Sequence, residues 1–67
     1  MKIKYDQEVD VLVIHLSDSE IYDSDESKPG IILDFDAAGN IVRIEILDAS
    51  KRTSTPFKFE YELVSEE

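Results

Sequence analysis

Carboxylates dominate the side chains here that could do chemistry. Asp34 and Asp36 stand two apart in an alternating segment, so they share one strand face and could bind a hard cation or shift each other's pKa. With Gly39, Ile41 and Glu45 they fall at the first, third, sixth, eighth and twelfth positions of an EF-hand calcium loop. Ala38 stands where the fifth position needs an oxygen, and both flanks alternate with period two where that motif needs helices. Asp34 and Asp36 are therefore weak metal candidates. The expectation is a hairpin served by Asp36 and Gly39, a strand opened by Ile41, an exposed Glu45 and a solvated face under the two aspartates.

Other groups offer less. His15, the single histidine, shares a face with Val11 and Val13 and reads as a hydrogen-bonded structural side chain. There is no cysteine to act as nucleophile or metal ligand, and no serine in a glycine-flanked elbow, so no catalytic residue and no cofactor are assigned. Ser50, Lys51 and Arg52 form the one basic, hydroxyl-bearing spot. They could hold an anion or a partner if Ser50 caps a helical turn, or simply pair with carboxylates such as Asp48. Asp18, Glu20, Asp23, Asp25 and Glu26 make an acidic cluster, either a solvated edge or a docking edge for a basic partner.

Composition narrows the classes of function. Sixteen acidic against seven basic side chains give a net charge of −9 and a pI near 4.3. Nucleic-acid binding draws much of its affinity from basic groups on phosphates, so neither nucleic acid nor an anionic membrane is expected as partner. The N-terminus lacks the apolar stretch of a signal peptide, and no run approaches a membrane span, which makes a cytoplasmic protein the expectation. At 67 residues the chain is one domain, 1–67, with 65–67 expected to fray. A core of this size supplies only about 3–5 kcal/mol, and small domains commonly add a disulfide, a metal or a partner chain. Disulfides are impossible here.

The elements that must position these groups are strands. Ile3 and Tyr5 alternate with Lys2, Lys4 and Asp6. Val11 to Leu16 is apolar on both faces and reads as a central strand after a turn. Residues 18–27 fit an edge strand or a loop. Pro29-Gly30 punctuates the chain, and Ile31 to Phe35 and Ile41 to Leu47 form a hairpin about Asp36 to Asn40. At most one short helix fits near 48–54, stopped by Pro56. Phe57, Phe59, Tyr61 and Leu63 alternate with Lys58, Glu60 and Glu62 as a final strand. The fold class is mainly β, a small antiparallel-rich sheet of five to six strands, with α+β as the alternative. No helix is long enough to cover such a sheet, so it must curl into a half-barrel or pack face to face in a dimer.

The order of features resembles the domain-of-unknown-function family numbered 2283. The resemblance runs from Met1 to Arg52 through Lys2-Ile3-Lys4-Tyr5-Asp6, His15-Leu16-Ser17-Asp18, Pro29-Gly30-Ile31-Ile32-Leu33-Asp34-Phe35-Asp36 and Gly39-Asn40-Ile41-Val42. Its most specific part is Ile44-Glu45-Ile46-Leu47-Asp48-Ala49-Ser50-Lys51-Arg52. The chain departs from that pattern at Arg43, where the family often has glycine, and in the acidic stretch from Asp18 to Glu26. Members are small, mostly bacterial and archaeal proteins without an established activity. The resemblance implies an antitoxin-like or other protein-binding role and hands over no catalytic residues.

Three classes of function follow. A small acidic protein-interaction module, a homodimer with a small basic protein as possible partner, leads. A purely structural homo-oligomerising domain is the alternative. A small hydrolase or metal-binding protein comes last, with Asp34, Asp36, His15 or Lys51 as its only plausible actors.

Overall fold

The computed structural model describes residues 1–65; Glu66 and Glu67, part of the expected frayed tail, lie outside the described residues. Five strands, β1 (Lys2–Asp6), β2 (Val11–His15), β3 (Asp23–Lys28), β4 (Ile31–Phe35) and β5 (Ile41–Leu47), form one antiparallel sheet in the order β1-β2-β5-β4-β3. The fold is mainly β, and the only helical piece among the described residues is a 3-10 turn over Ala49–Lys51. The sheet stays open: β1 and β3 are its two edges and do not meet, so it does not close into a barrel.

Each turn is set by local chemistry. The Asp6 carboxylate accepts from the amides of Glu8 at 3.0 Å and Val9 at 3.4 Å, which closes the β1–β2 connection. Between β4 and β5 the Asp36 carboxylate accepts from Ala38 at 3.0 Å and Asn40 at 2.9 Å, and Gly39 takes a φ of 87°. Between β3 and β4, Gly30 has a φ of 81° and donates its amide to Glu26 at 2.8 Å. Arg52 lies directly over that glycine, where a Cβ would collide with its guanidinium.

One element differs from the pattern-based expectation and two others take a definite place. Val11 to His15 is an interior strand as expected, β2 lying between β1 and the middle strand β5. The ambiguous 18–27 stretch resolves into a loop followed by β3, an edge strand exposed at all six residues. The final strand expected over Phe57 to Leu63 does not form. Its alternation is real, but a strand needs a neighbouring edge, and in this chain the segment finds none. Phe57, Phe59, Tyr61, Leu63 and Val64 stand 46–95% exposed.

The register sorts the side chains into two unlike faces. One carries Ile3, Ile14, Ile44 and Leu33 in one cross-strand row and Tyr5, Leu12, Ile46 and Ile31 in the next. The other carries the row Lys2, His15, Arg43, Asp34 and Ser24, running across all five strands, beside Lys4, Val13, Glu45, Ile32 and Glu26. No strand or helix lies over either face among the described residues. The buried residues are correspondingly few: Val42, Ala49, Asp34 and Pro56.

Candidate functional site

The polar face is organised by Asp34. Its carboxylate, 1% exposed, accepts from the Ser24 hydroxyl at 2.5 Å and from Arg43 Nε at 2.8 Å. Arg43 also reaches Glu45 Oε2 at 3.4 Å through its terminal nitrogen. Burial works against the charged form of Asp34, but the bonds from Ser24 and Arg43 outweigh it and hold its pKa below the usual aspartate value. Glu45 is pushed the other way: burial and the Asp34 carboxylate beside it raise its pKa against the pull of Arg43. Arg43 is held more firmly protonated, chiefly by its bond to Asp34.

The expected solvated face under Asp34 and Asp36 is therefore corrected. Asp34 is an internal ion-pair partner, while Asp36, beyond a β-bulge between Asp34 and Phe35, spends its carboxylate on the hairpin amides of Ala38 and Asn40. Those bonds lower its pKa, Asn40's amide foremost. Glu45 is likewise only 25% exposed at its side chain, rather than open to solvent. Pattern reading missed the Asp34–Arg43 pair. A usable signal existed, since a hairpin centred between Ala38 and Gly39 sets residue 34 opposite residue 43.

Glu45 gives a testable sign. A carboxyl whose folded pKa is raised contributes stability that is fully present below its unfolded pKa, near about 4.3, and is lost as pH rises through the folded value. Ionised Glu45 thus costs the fold at neutral pH. Glu45→Gln, which keeps the shape without the charge, should raise stability at pH 7 by a few tenths to about 1 kcal/mol. Urea melts at pH 7 and pH 4 should show that advantage shrinking in acid; an advantage that grows in acid would contradict the assignment.

The Ser50, Lys51, Arg52 segment is also built into the fold. The Ser50 amide donates to Asp10 Oδ1 at 2.9 Å and its hydroxyl to Asp10 Oδ2 at 2.7 Å. Tyr5 donates its hydroxyl to the same carboxylate at 2.6 Å, and these bonds, Tyr5's first, lower the Asp10 pKa. The anion this turn holds is thus the chain's own Asp10. Arg52 donates to Leu47 O at 3.1 Å and Pro29 O at 2.6 Å, tying the end of β5 to the β3–β4 turn. Neither Lys51 nor Arg52 pairs with Asp48 among the described ion pairs.

The acidic cluster is gathered at one edge. Asp23, Asp25 and Glu26 lie on β3, and Asp18 and Glu20 on the loop leading into it. His15 sits half-buried on the polar face between Lys2 and Arg43. It lines an open cleft of about 330 Å³ with Lys2, Leu16, Ser17 and Asp18. Among the described residues no three acidic or histidine side chains converge as metal ligands. No helix is long and apolar enough to cross a membrane.

The apolar sheet face has no strand or helix over it among the described residues. The chain exposes 5504 Å², whereas a compact monomer of 7.7 kDa exposes only about 4,300 Å². The difference is on the order of 1,200 Å², and much of the exposed apolar surface lies on the segment from Phe57 to Val64 rather than on the sheet face.

No curated protein and no solved structure matches the chain. A family profile described as a protein of unknown function, DUF2283, matches residues 2–50 and so covers all five strands and the turn into the 3-10 segment. With nearly three quarters of its length inside that match, the chain belongs to the DUF2283 family.

Proposed function

We propose that this protein is a protein-interaction module whose working surface is the apolar sheet face, closed in the free protein by a second copy to form a homodimer. The observation that carries this reading is the double row of Ile3, Ile14, Ile44, Leu33 and Tyr5, Leu12, Ile46, Ile31 with no strand or helix over it among the described residues. A sheet with one apolar face must bury it, and two such faces packed about 10 Å apart make a core that one layer lacks. The acidic β3 edge, carrying Asp23, Asp25 and Glu26, then serves to steer a basic protein partner, as an antitoxin-like role requires.

The test is methyl NMR on a sample mixing isotope-labelled and unlabelled copies. Intermolecular cross-peaks are expected from Ile14, Ile44, Leu33 and Leu12, and none from Val13 or Ile32 on the opposite face. Cross-peaks confined to Val13 and Ile32, or absent altogether, would reject the assignment.

A further inference from the structure

The segment from Lys58 to Glu62 has the pattern of a strand and no strand beside it, and β1 has an open edge. Set antiparallel to each other, the two match at five successive positions: Lys2 faces Glu62, Ile3 faces Tyr61, Lys4 faces Glu60, Tyr5 faces Phe59 and Asp6 faces Lys58. All three charged pairs are of opposite sign, and both apolar pairs fall on the face that carries Ile3 and Tyr5. Sliding the register by two residues in either direction sets like charges opposite, Asp6 against Glu60 or Lys4 against Lys58. A slide by one turns every apolar side chain to the wrong face. The other open edge fits poorly, because with Phe59 and Tyr61 on the apolar face the aromatics would meet Asp23 and Asp25 of β3, and Glu60 or Glu62 would meet Glu26.

From this complementarity we infer that residues 58–62 of one copy add as a sixth strand to the β1 edge of a second copy, and reciprocally. The inference rests on the homodimer proposed above and gives it a second contact. Within its own chain the segment leaves the sheet after buried Pro56 and a turn in which the Lys58 amide donates to Thr55 O at 3.1 Å; beyond it Tyr61 is 95% exposed. A two-fold exchange covers both open β1 edges and closes on itself, whereas a one-way addition would propagate. It also lengthens the apolar rows by Tyr61 and Phe59.

Charge exchange tests this in the full chain. Lys2→Glu with Lys4→Glu puts like charges against the partner's Glu60 and Glu62, as Glu60→Lys with Glu62→Lys does against Lys2 and Lys4. Each variant alone should dimerise about tenfold more weakly than the parent. Mixed together they should form a heterodimer in which both contacts carry opposite charges, so native mass spectrometry should show it well above the statistical half of all dimers. A statistical mixture would overturn the exchange, because a tail lying on its own β1 edge cannot be rescued by a partner. Hydrogen exchange on the unaltered protein gives an independent reading, with protection expected at alternate amides of 58–62. A dimer whose 58–62 amides exchange freely overturns the strand exchange and leaves the face-to-face dimer standing; a monomer overturns both.

Discussion

Ile44→Asp is expected to convert the protein into a monomer. Ile44 lies on the central strand β5 between Ile14 and Leu33, in the middle of the apolar rows. In a two-layer dimer that position is covered from above as well as from both sides, so a carboxylate there would enter the interface without a partner. Burying an uncompensated charge costs several kcal/mol, and about 3 kcal/mol alone raises the dimer dissociation constant roughly a hundredfold. Light scattering at fixed concentration reads the loss. Ile3→Asp, at a site already 41% exposed in the single chain, disturbs the fold less and should weaken the dimer in the same direction. Val13→Asp places the same charge on the opposite face, between Lys4 and Glu45, and should leave the dimer intact. If Val13→Asp dissociates the protein while Ile44→Asp does not, the interface lies on the polar face instead.

Asp34→Asn should give the largest loss of stability of any single polar substitution. It removes the charge that Arg43 and Ser24 both address, and charged hydrogen bonds of this kind contribute about 1.5–3 kcal/mol each. Arg43 keeps partial access to solvent at 31% exposure, which relieves part of the penalty of leaving it alone. A net loss of about 2–3 kcal/mol is expected, lowering Tm by roughly 10–20 °C for a domain of this size at fixed protein concentration. Arg43→Met in the same background should add less than it costs alone, because the partner is already gone. The pH dependence has a definite sign. The lowered pKa of Asp34 contributes stability above its unfolded value near about 3.9, lost as pH falls through the folded value, so the gap between parent and variant should close in acid. Strictly additive effects would remove Asp34 from the role of organiser.

Much of the sheet is legible in the sequence because its cues are local. Pro29-Gly30 and Asp36 to Asn40 fix both turns around β4, and the alternation of Val42, Ile44 and Ile46 fixes which face is apolar. What escapes is what depends on a second segment. Period two set Asp34 with Asp36 on a wet face; only the residue opposite, Arg43, reveals that the aspartate is buried and paired. The Ser50 turn reads as an anion site, yet its anion, Asp10, lies forty residues earlier and carries no nearby signal. The alternation of Phe57 to Leu63 states which faces a strand would have and is silent on whether an edge is available.

The departure at Arg43 takes on meaning in that light. Its guanidinium faces Asp34 and steadies one end of the polar face. The two faces of a single layer thereby divide their tasks. The polar one is cross-braced by the Asp34, Arg43 and Ser24 bonds, and the apolar one has no strand or helix over it among the described residues.

Sedimentation equilibrium on the unaltered protein, at neutral pH and moderate salt, tests that association most directly. The apolar face predicts a mass of about 15 kDa, twice that of the 7.7 kDa chain, persisting as salt is raised because apolar burial is not screened. A mass of 7.7 kDa at every concentration up to hundreds of micromolar (about 10⁻⁴ M, a dissociation constant too weak for a working dimer) would contradict it.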